Sequence, residues 1–365
     1  MNRIFLRLII SLTCISCGVK HSSIPQKQLK LLDEYIFAPD LKFKETLFGG
    51  ISGIDPVSQN KYVVISDDSS NPRFFTIQIE FSGKSIDTVL IDKMVNMKTS
   101  SGYFKDQQLD LESIRYDHVS SSYLISSEGS INTQKNPFVA KIDAEGNFIT
   151  SYSLPDYFSA NSSAKPRNNG TLEGLSKKPE DQGFWVAMEL PLTIDGPEPQ
   201  LTPSFSPVRI TYIDPGDDLN NKQFAYLLEP IAKTPLKAFA VNGLTDLIEY
   251  AVDKFYIIER GYSSGYGSKG NTVRIFNVDA TQATNTLSIS SLKKAKNLKV
   301  AKKSILFDFN WIKDQLKEGV IDNIEGICFG PTLSNGNQTL LLVADNNFNT
   351  LGKQLNQLLW LEILD

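Results

Sequence analysis

The chain has 365 residues, 41% apolar and 21% charged, with a net charge of −4. This composition excludes wholesale disorder, and the acidic balance excludes a nucleic-acid-binding domain. No apolar run approaches the roughly 18 residues that a membrane-crossing helix needs. The two histidines and three cysteines leave little for a His base, a zinc site or a disulfide framework.

The chain opens as an export signal. Arg3 and Arg7 precede the short apolar stretch Leu8 to Ile15, and Ile15-Ser16-Cys17-Gly18 resembles a bacterial lipobox with Cys14 at the −3 position. Residues 1–16 are therefore expected to be a lipoprotein signal peptide and Cys17 the lipidated residue. Residues 17–30 read as a polar tether and 31–365 as one folded domain. The expected destination is the outer membrane or cell surface, with the periplasm as the alternative. The lipid on Cys17 would be the sole membrane contact of a monomer. Cys328 is then the only other cysteine left, so no internal disulfide is expected.

From residue 31 onward the chain repeats one unit. Five apolar runs end in an acid: Tyr62 to Asp67, Tyr123 to Glu128, Phe184 to Glu189, Phe255 to Glu259 and Leu340 to Asp345. Each reads as a buried strand. Upstream of them lie Gly49 to Ile54, Leu109 to Ile114, Gly170 to Leu175, Gly243 to Leu247 and Asn323 to Ile327. A third strand follows each run (73–80, 137–143, 207–214, 272–279, 357–364), and a more polar fourth follows the first four units (85–95, 147–154, 223–229, 298–309). Four antiparallel strands in tandem are propeller blades. The last unit lacks a fourth strand, and a strand within 31–47 is expected to fill that edge and close the ring. The fold class is all-β, a propeller of five blades. A sixth is the alternative if 191–206 or 280–305 holds a sheet. Trp311 to Glu318 is read as one short helix.

In such a blade the first strand begins, and the second ends, at the same mouth of the central channel. Glu112, Glu173 and Glu325 at first strands, with Asp67, Glu128, Glu189, Glu259 and Asp345 at second-strand ends, should converge there. Crowded carboxylates repel and raise one another's pKa. A hard cation such as Ca²⁺ relieves this, as do arginines, for which Arg73, Arg115 and Arg260 are at hand. Asp67, Asp68, Glu112, Glu173, Glu325 and Asp345 are the candidate Ca²⁺ ligands. Glu128, Glu189, Glu259 and Arg260 are the candidate catalytic groups. Arg73, Arg260 and Asn346 are the candidates for binding substrate, with Lys105, Lys165 and Lys269 on nearby loops.

At these residues the chain resembles the phytase-like family known for "esterase-like activity of phytase". The matching motifs are Gly50-Ile-Ser-Gly-Ile54, Ile65-Ser-Asp-Asp68 with Arg73-Phe74, Asp110-Leu-Glu112, Ser127-Glu128, Asn169-Gly170 with Leu172-Glu-Gly174, Ala187-Met-Glu-Leu-Pro191, Glu259-Arg260, Ile324-Glu-Gly326 and Asp345-Asn-Asn-Phe348. The fourth unit departs from the pattern, with Leu244-Thr-Asp246 where others carry Leu-Glu-Gly. The resemblance implies a secreted propeller that hydrolyses a small phosphoester or ester, and Ca²⁺-assisted hydrolysis fits the acids best. A serine esterase lacks both a nucleophile elbow and a placed histidine, since His118 falls in a hairpin turn at the opposite end. The alternative is a non-catalytic surface propeller that binds ligand or protein through Tyr103, Phe104, Tyr262, Tyr266 and Phe348. Lys293 to Lys303, with six lysines, reads as a solvated outer edge.

Overall fold

A computed structural model describes residues 29–100, 102–177, 183–350 and 352–364. The expected signal peptide and Cys17 lie outside the described residues. The described residues form five four-stranded antiparallel sheets and one two-stranded ribbon, Lys42–Phe43 with Thr46–Leu47. In the first four sheets the strands follow one another outward. The first blade is Ile51–Ser58, Lys61–Ser66, Arg73–Ser82 and Ser85–Asn96. The second is Leu111–Asp117, Ser122–Ser127, Phe138–Ile142 and Phe148–Tyr152. The third is Leu172–Lys177, Phe184–Met188, Pro207–Ile213 and Lys222–Leu227. The fourth is Ala240–Ala251, Lys254–Ser263, Asn271–Asp279 and Lys302–Asp308.

The fifth blade takes Asn323–Phe329, Thr339–Asp345 and Gln357–Ile363 from the end of the chain and its outer strand, Leu29–Ile36, from the beginning. Leu31 stands opposite Leu361 and Ile36 opposite Gln357. The closing strand thus starts two residues before the expected stretch. It covers the edge of Gln357–Ile363, a strand of buried apolar residues that would otherwise be open to pairing with other chains. Neither 191–206 nor 280–301 holds a strand, which settles the count at five. The helix expected at 311–318 is a 3-10 turn at Phe309–Gln315.

Burial falls from the axis outward. Thr339–Asp345 is buried throughout, whereas the outer strand Phe148–Tyr152 has three exposed residues in five. The apolar faces of neighbouring blades form four clusters. In the largest, Trp185 packs against Tyr212, Phe224 and Phe255 across three strands and two blades. At the axis the innermost strands come very close. A Cβ on Gly53 would lie 3.0 Å from the Cα of Ser113, and one on Gly326 would lie 3.0 Å from the Cα of Gly53. The glycines at this position in three of the five innermost strands, Gly53, Gly174 and Gly326, are therefore what lets the strands crowd round a narrow axis.

Candidate functional site: a ring of carboxylates at the channel mouth

Each innermost strand carries a β-bulge in its mouth-side half. The register shifts lie between Ile51 and Gly53, Leu111 and Ser113, Leu172 and Leu175, Leu244 and Asp246, and Ile324 and Gly326. The residue just inside each shift is Ser52, Glu112, Glu173, Thr245 and Glu325 in turn. A bulged residue is released from the ladder and its side chain is re-aimed, and here three of the five are glutamates. The facing position on the second strand is read from the same pairing. Ser66, Ser127, Met188, Glu259 and Ala344 stand opposite Ile51, Leu111, Leu172, Leu244 and Ile324. The next residue, which turns toward the mouth, is Asp67, Glu128, Glu189, Arg260 and Asp345.

The fourth blade therefore places an arginine where the others place an acid. Its apolar run is one residue shorter, so Glu259 falls one position early. A shift of one residue sends a strand side chain to the opposite face. Glu259 is buried between the third and fourth blades, where it accepts from Tyr226 Oη (2.6 Å), Asn242 Nδ2 (2.7 Å) and Lys303 Nζ (2.7 Å). It is not in the ring, contrary to the expectation that all the acids converge. Lys303, expected on a solvated edge, is drawn in as its counter-ion.

Asp68 and Arg73 also stand apart from the ring. Asp68 caps the turn at Ser70 and Asn71 and pairs with Arg73 Nη1 at 2.6 Å. Arg73 is buried against Phe75 and Phe348 and reaches the carbonyl of Leu47. One candidate ligand thus neutralises one candidate substrate-binding group. Asn346 is buried and accepts from the Gly50 amide at 2.9 Å, which latches the entry of the first blade. Lys105 and Lys165 are exposed and form no ion pair among the described residues. His118 is exposed in the 118–121 turn, as expected, against Tyr116.

The remaining acids come together. Carboxylate oxygens of Asp67, Asp110 and Glu112 lie within 4.8 Å of one another, and so do those of Glu112, Glu128 and Glu173. Glu112 belongs to both groups. Asp110 is a site residue that the strand pattern does not single out, although it lies two residues before Glu112. Glu128 accepts from the Thr171 amide at 2.6 Å and so ties the second blade to the third. Asp345 accepts from the Asn347 amide at 2.7 Å. Glu325 takes a bond from Asn323 and pairs with Arg260 Nη2 at 2.9 Å, with Glu189 3.9 Å from the same nitrogen. Arg260 Nε is buried with no hydrogen-bond partner among the described residues.

Eight carboxylates thus face one guanidinium. Burial, reinforced by their neighbours, pushes Asp67, Glu112, Glu173 and Asp345 well above the ordinary carboxylate range. Burial raises Glu128 to about 8, helped by Glu189. Burial likewise raises Glu189 to about 7, held back by Arg260. Asp110 is also raised by burial.

The fourth blade's other departure, Asp246 in place of the glycine, lies deeper in the channel. Arg115 Nη2 donates to both oxygens of Asp246 at 2.7 Å. Its remaining donors reach the carbonyls of Leu175 (2.7 Å) and Ile54 (2.8 Å), and the Ile327 amide donates to Asp246 at 2.9 Å. One buried ion pair thereby links the innermost strands of all five blades and plugs the axis below the ring.

The family described as "Phytase-like: Esterase-like activity of phytase" matches residues 46–348, a span that contains every ring residue. The chain belongs to this family. No curated protein matches it. Among solved structures, the phytase-like chain is similar to an exo-1,5-alpha-L-arabinanase from a bovine ruminal metagenomic library, at 9% identity and TM-score 0.42, covering 86% of this chain and 93% of that one. It is also similar to the PQQ-bound aldose sugar dehydrogenase of Streptomyces coelicolor, at 11% identity and TM-score 0.39, covering 93% and 99%. Neither likeness bears on the chemistry of the ring.

Proposed function

We propose that this phytase-like protein is an exported hydrolase of small phosphoesters or esters that works at the carboxylate ring with bound Ca²⁺. The observation that carries the reading is the excess of buried carboxylate over cation at the mouth of a closed channel. The donor set fits the ion: every available ligand is a carboxylate oxygen, the hard donor Ca²⁺ prefers, and no histidine or thiol is among them. Asp67, Asp110 and Glu112 would hold one cation, and Glu112, Glu128 and Glu173 a second that shares Glu112. Bound there, the cation would supply positive charge against a phosphate or a developing oxyanion.

The other ring residues divide the remaining work. Glu189 lies outside both oxygen groups, and its pKa near neutrality suits it to take a proton from water and return it to the leaving group. Arg260 keeps Glu325 as its partner and has its Nε to offer to an anionic substrate oxygen. Glu325 and Asp345 then serve to set the charge and position of Arg260 rather than to bind metal.

The test is a thermal melt with and without Ca²⁺, run beside turnover of aryl phosphate and aryl ester substrates. Ca²⁺ at a hundredfold excess over its dissociation constant should stabilise the fold by about 2.7 kcal/mol. Glu112→Gln should abolish most of that shift, while Glu259→Gln should keep it from a lower baseline. An unmoved melting temperature would remove the cation from the proposal. Binding of Ca²⁺ without turnover of either substrate would leave a ligand-binding propeller. For the export reading, Cys17→Ser should release the protein from the membrane fraction or leave its precursor uncleaved.

A further inference from the structure

Large apolar side chains are exposed at ten described positions, and four of them share one rim. Leu201 and Phe205 lie on the mouth-side loop of the third blade, at 50% and 40% exposed, and Leu236 and Phe239 on the connection into the fourth, at 68% and 58%. The two segments touch, since the Ile231 amide donates to the carbonyl of Gln200 at 2.9 Å. The others are scattered over outer strands and far-end turns. The rim is also locally basic in an acidic chain. Residues 199–206, 230–239 and 262–271 contain Lys233, Lys237 and Lys269 and no acid; the acids at their borders, Glu198 and Glu229, are paired with Arg167 and Lys303. Burial lowers the pKa of Lys233, with the charges of Lys313, on the 3-10 turn Phe309–Gln315, and of Lys269 adding to it. Lys233, Lys237, Lys269 and Lys313 form no ion pair among the described residues.

The exposure does not come from a slack loop. The Leu236 amide donates to the carbonyl of Ser264, and the Ser264 amide donates to that of Phe239, both at 2.9 Å. Ser263 Oγ donates to the carbonyl of Lys233, and Tyr266 Oη to that of Thr234 at 3.0 Å. Lys233 lies 3.8 Å over the Tyr266 ring and donates to the carbonyl of Lys269 at 2.7 Å. Two loops are stitched into a platform that holds Leu236 and Phe239 outward among lysines.

We propose that this rim docks the protein, channel mouth first, on a lipid surface rich in anionic headgroups. The four apolar side chains enter the headgroup boundary and the lysines meet its negative charge, which is the composition of an interfacial anchor. The charge complementarity favours a membrane over a protein partner, because the rim offers unpaired cations around small apolar tips rather than a broad apolar face. The docking does not depend on hydrolysis at the ring.

The experiment is vesicle co-sedimentation of the chain from Gly18 onward, which lacks both the leader and Cys17 and keeps all five blades. Phosphatidylglycerol-containing vesicles should bind it and pure phosphatidylcholine vesicles should not. Lys233→Glu with Lys237→Glu and Lys269→Glu should weaken binding on the order of a hundredfold. Leu236→Asp with Phe239→Asp should abolish it, while Val252→Asp, at an exposed far-end turn, should bind as the parent does. Melting temperatures within about 1–2 °C of the parent will show that the variants are folded. Failure of the parent to bind anionic vesicles overturns the proposal, as does unchanged binding by Leu236→Asp with Phe239→Asp. Release by inorganic phosphate, but not by chloride of equal ionic strength, overturns it in favour of a soluble anion.

Discussion

Arg115→Met tests how the propeller is held at its axis. The side chain is fully buried and all its donors are engaged, by Asp246 and by the carbonyls of Leu175 and Ile54 on two neighbouring innermost strands. Its removal leaves Asp246 buried with backbone amides alone. Breaking a buried ion pair from one side costs about 3–5 kcal/mol. Unfolding entropy of about 2.1 cal/mol/K per residue, taken over this chain, converts that to a fall of roughly 4–7 °C in melting temperature. Arg115→Lys should lose most of the same stability, because an ammonium cannot span the planar fork of partners. Asp246→Asn should cost about as much as Arg115→Met, and the double variant should cost clearly less than the sum, with a coupling of about 2 kcal/mol or more. The measurement is equilibrium unfolding followed by tryptophan fluorescence, completed as a double-mutant cycle. Single variants that each cost under about 1 kcal/mol, or strictly additive costs, would refute the claim that this pair is the axial pin.

The ring predicts how stability varies with pH. Glu128 and Glu189 bind protons more tightly in the fold than in the unfolded chain, where the ordinary value is 4.5. Their contribution is fully present below that value and is lost as pH rises through about 7 and 8. The cation-free melting temperature should therefore fall from roughly pH 5 to pH 9, and Ca²⁺ should flatten the decline; a rise across that window would contradict the reading. Deleting residues 29–36 should bare the edge of Gln357–Ile363 and cause aggregation, seen by light scattering; a monomer that melts like the parent would show that closure is dispensable.

Much of this architecture is legible in the sequence because a propeller is built from local pairings. Each hairpin lies within a few tens of residues, so its apolar runs, turn residues and terminal acids appear in chain order. The repeat count and the missing strand of the last unit were readable for the same reason. So were the bulge glutamates Glu112, Glu173 and Glu325, because each occupies the same place in its own hairpin.

The partners that cross between blades were set by tertiary structure. Whether a second-strand acid reaches the mouth depends on a single-residue phase. Glu259 misses it by one residue and is neutralised by Lys303, 44 residues further along. Asp246 looked like a flaw in the repeat until the fold brought Arg115 to it across 131 residues. Asp68 and Arg73 sit close in sequence, yet only their packing shows that they satisfy each other. The sequence by itself determined which residues could line the mouth, since a strand's alternation is a local property. Which of them remain unneutralised was decided by the closed ring, because charge balance in a buried site depends on every side chain that folding brings within a few ångströms.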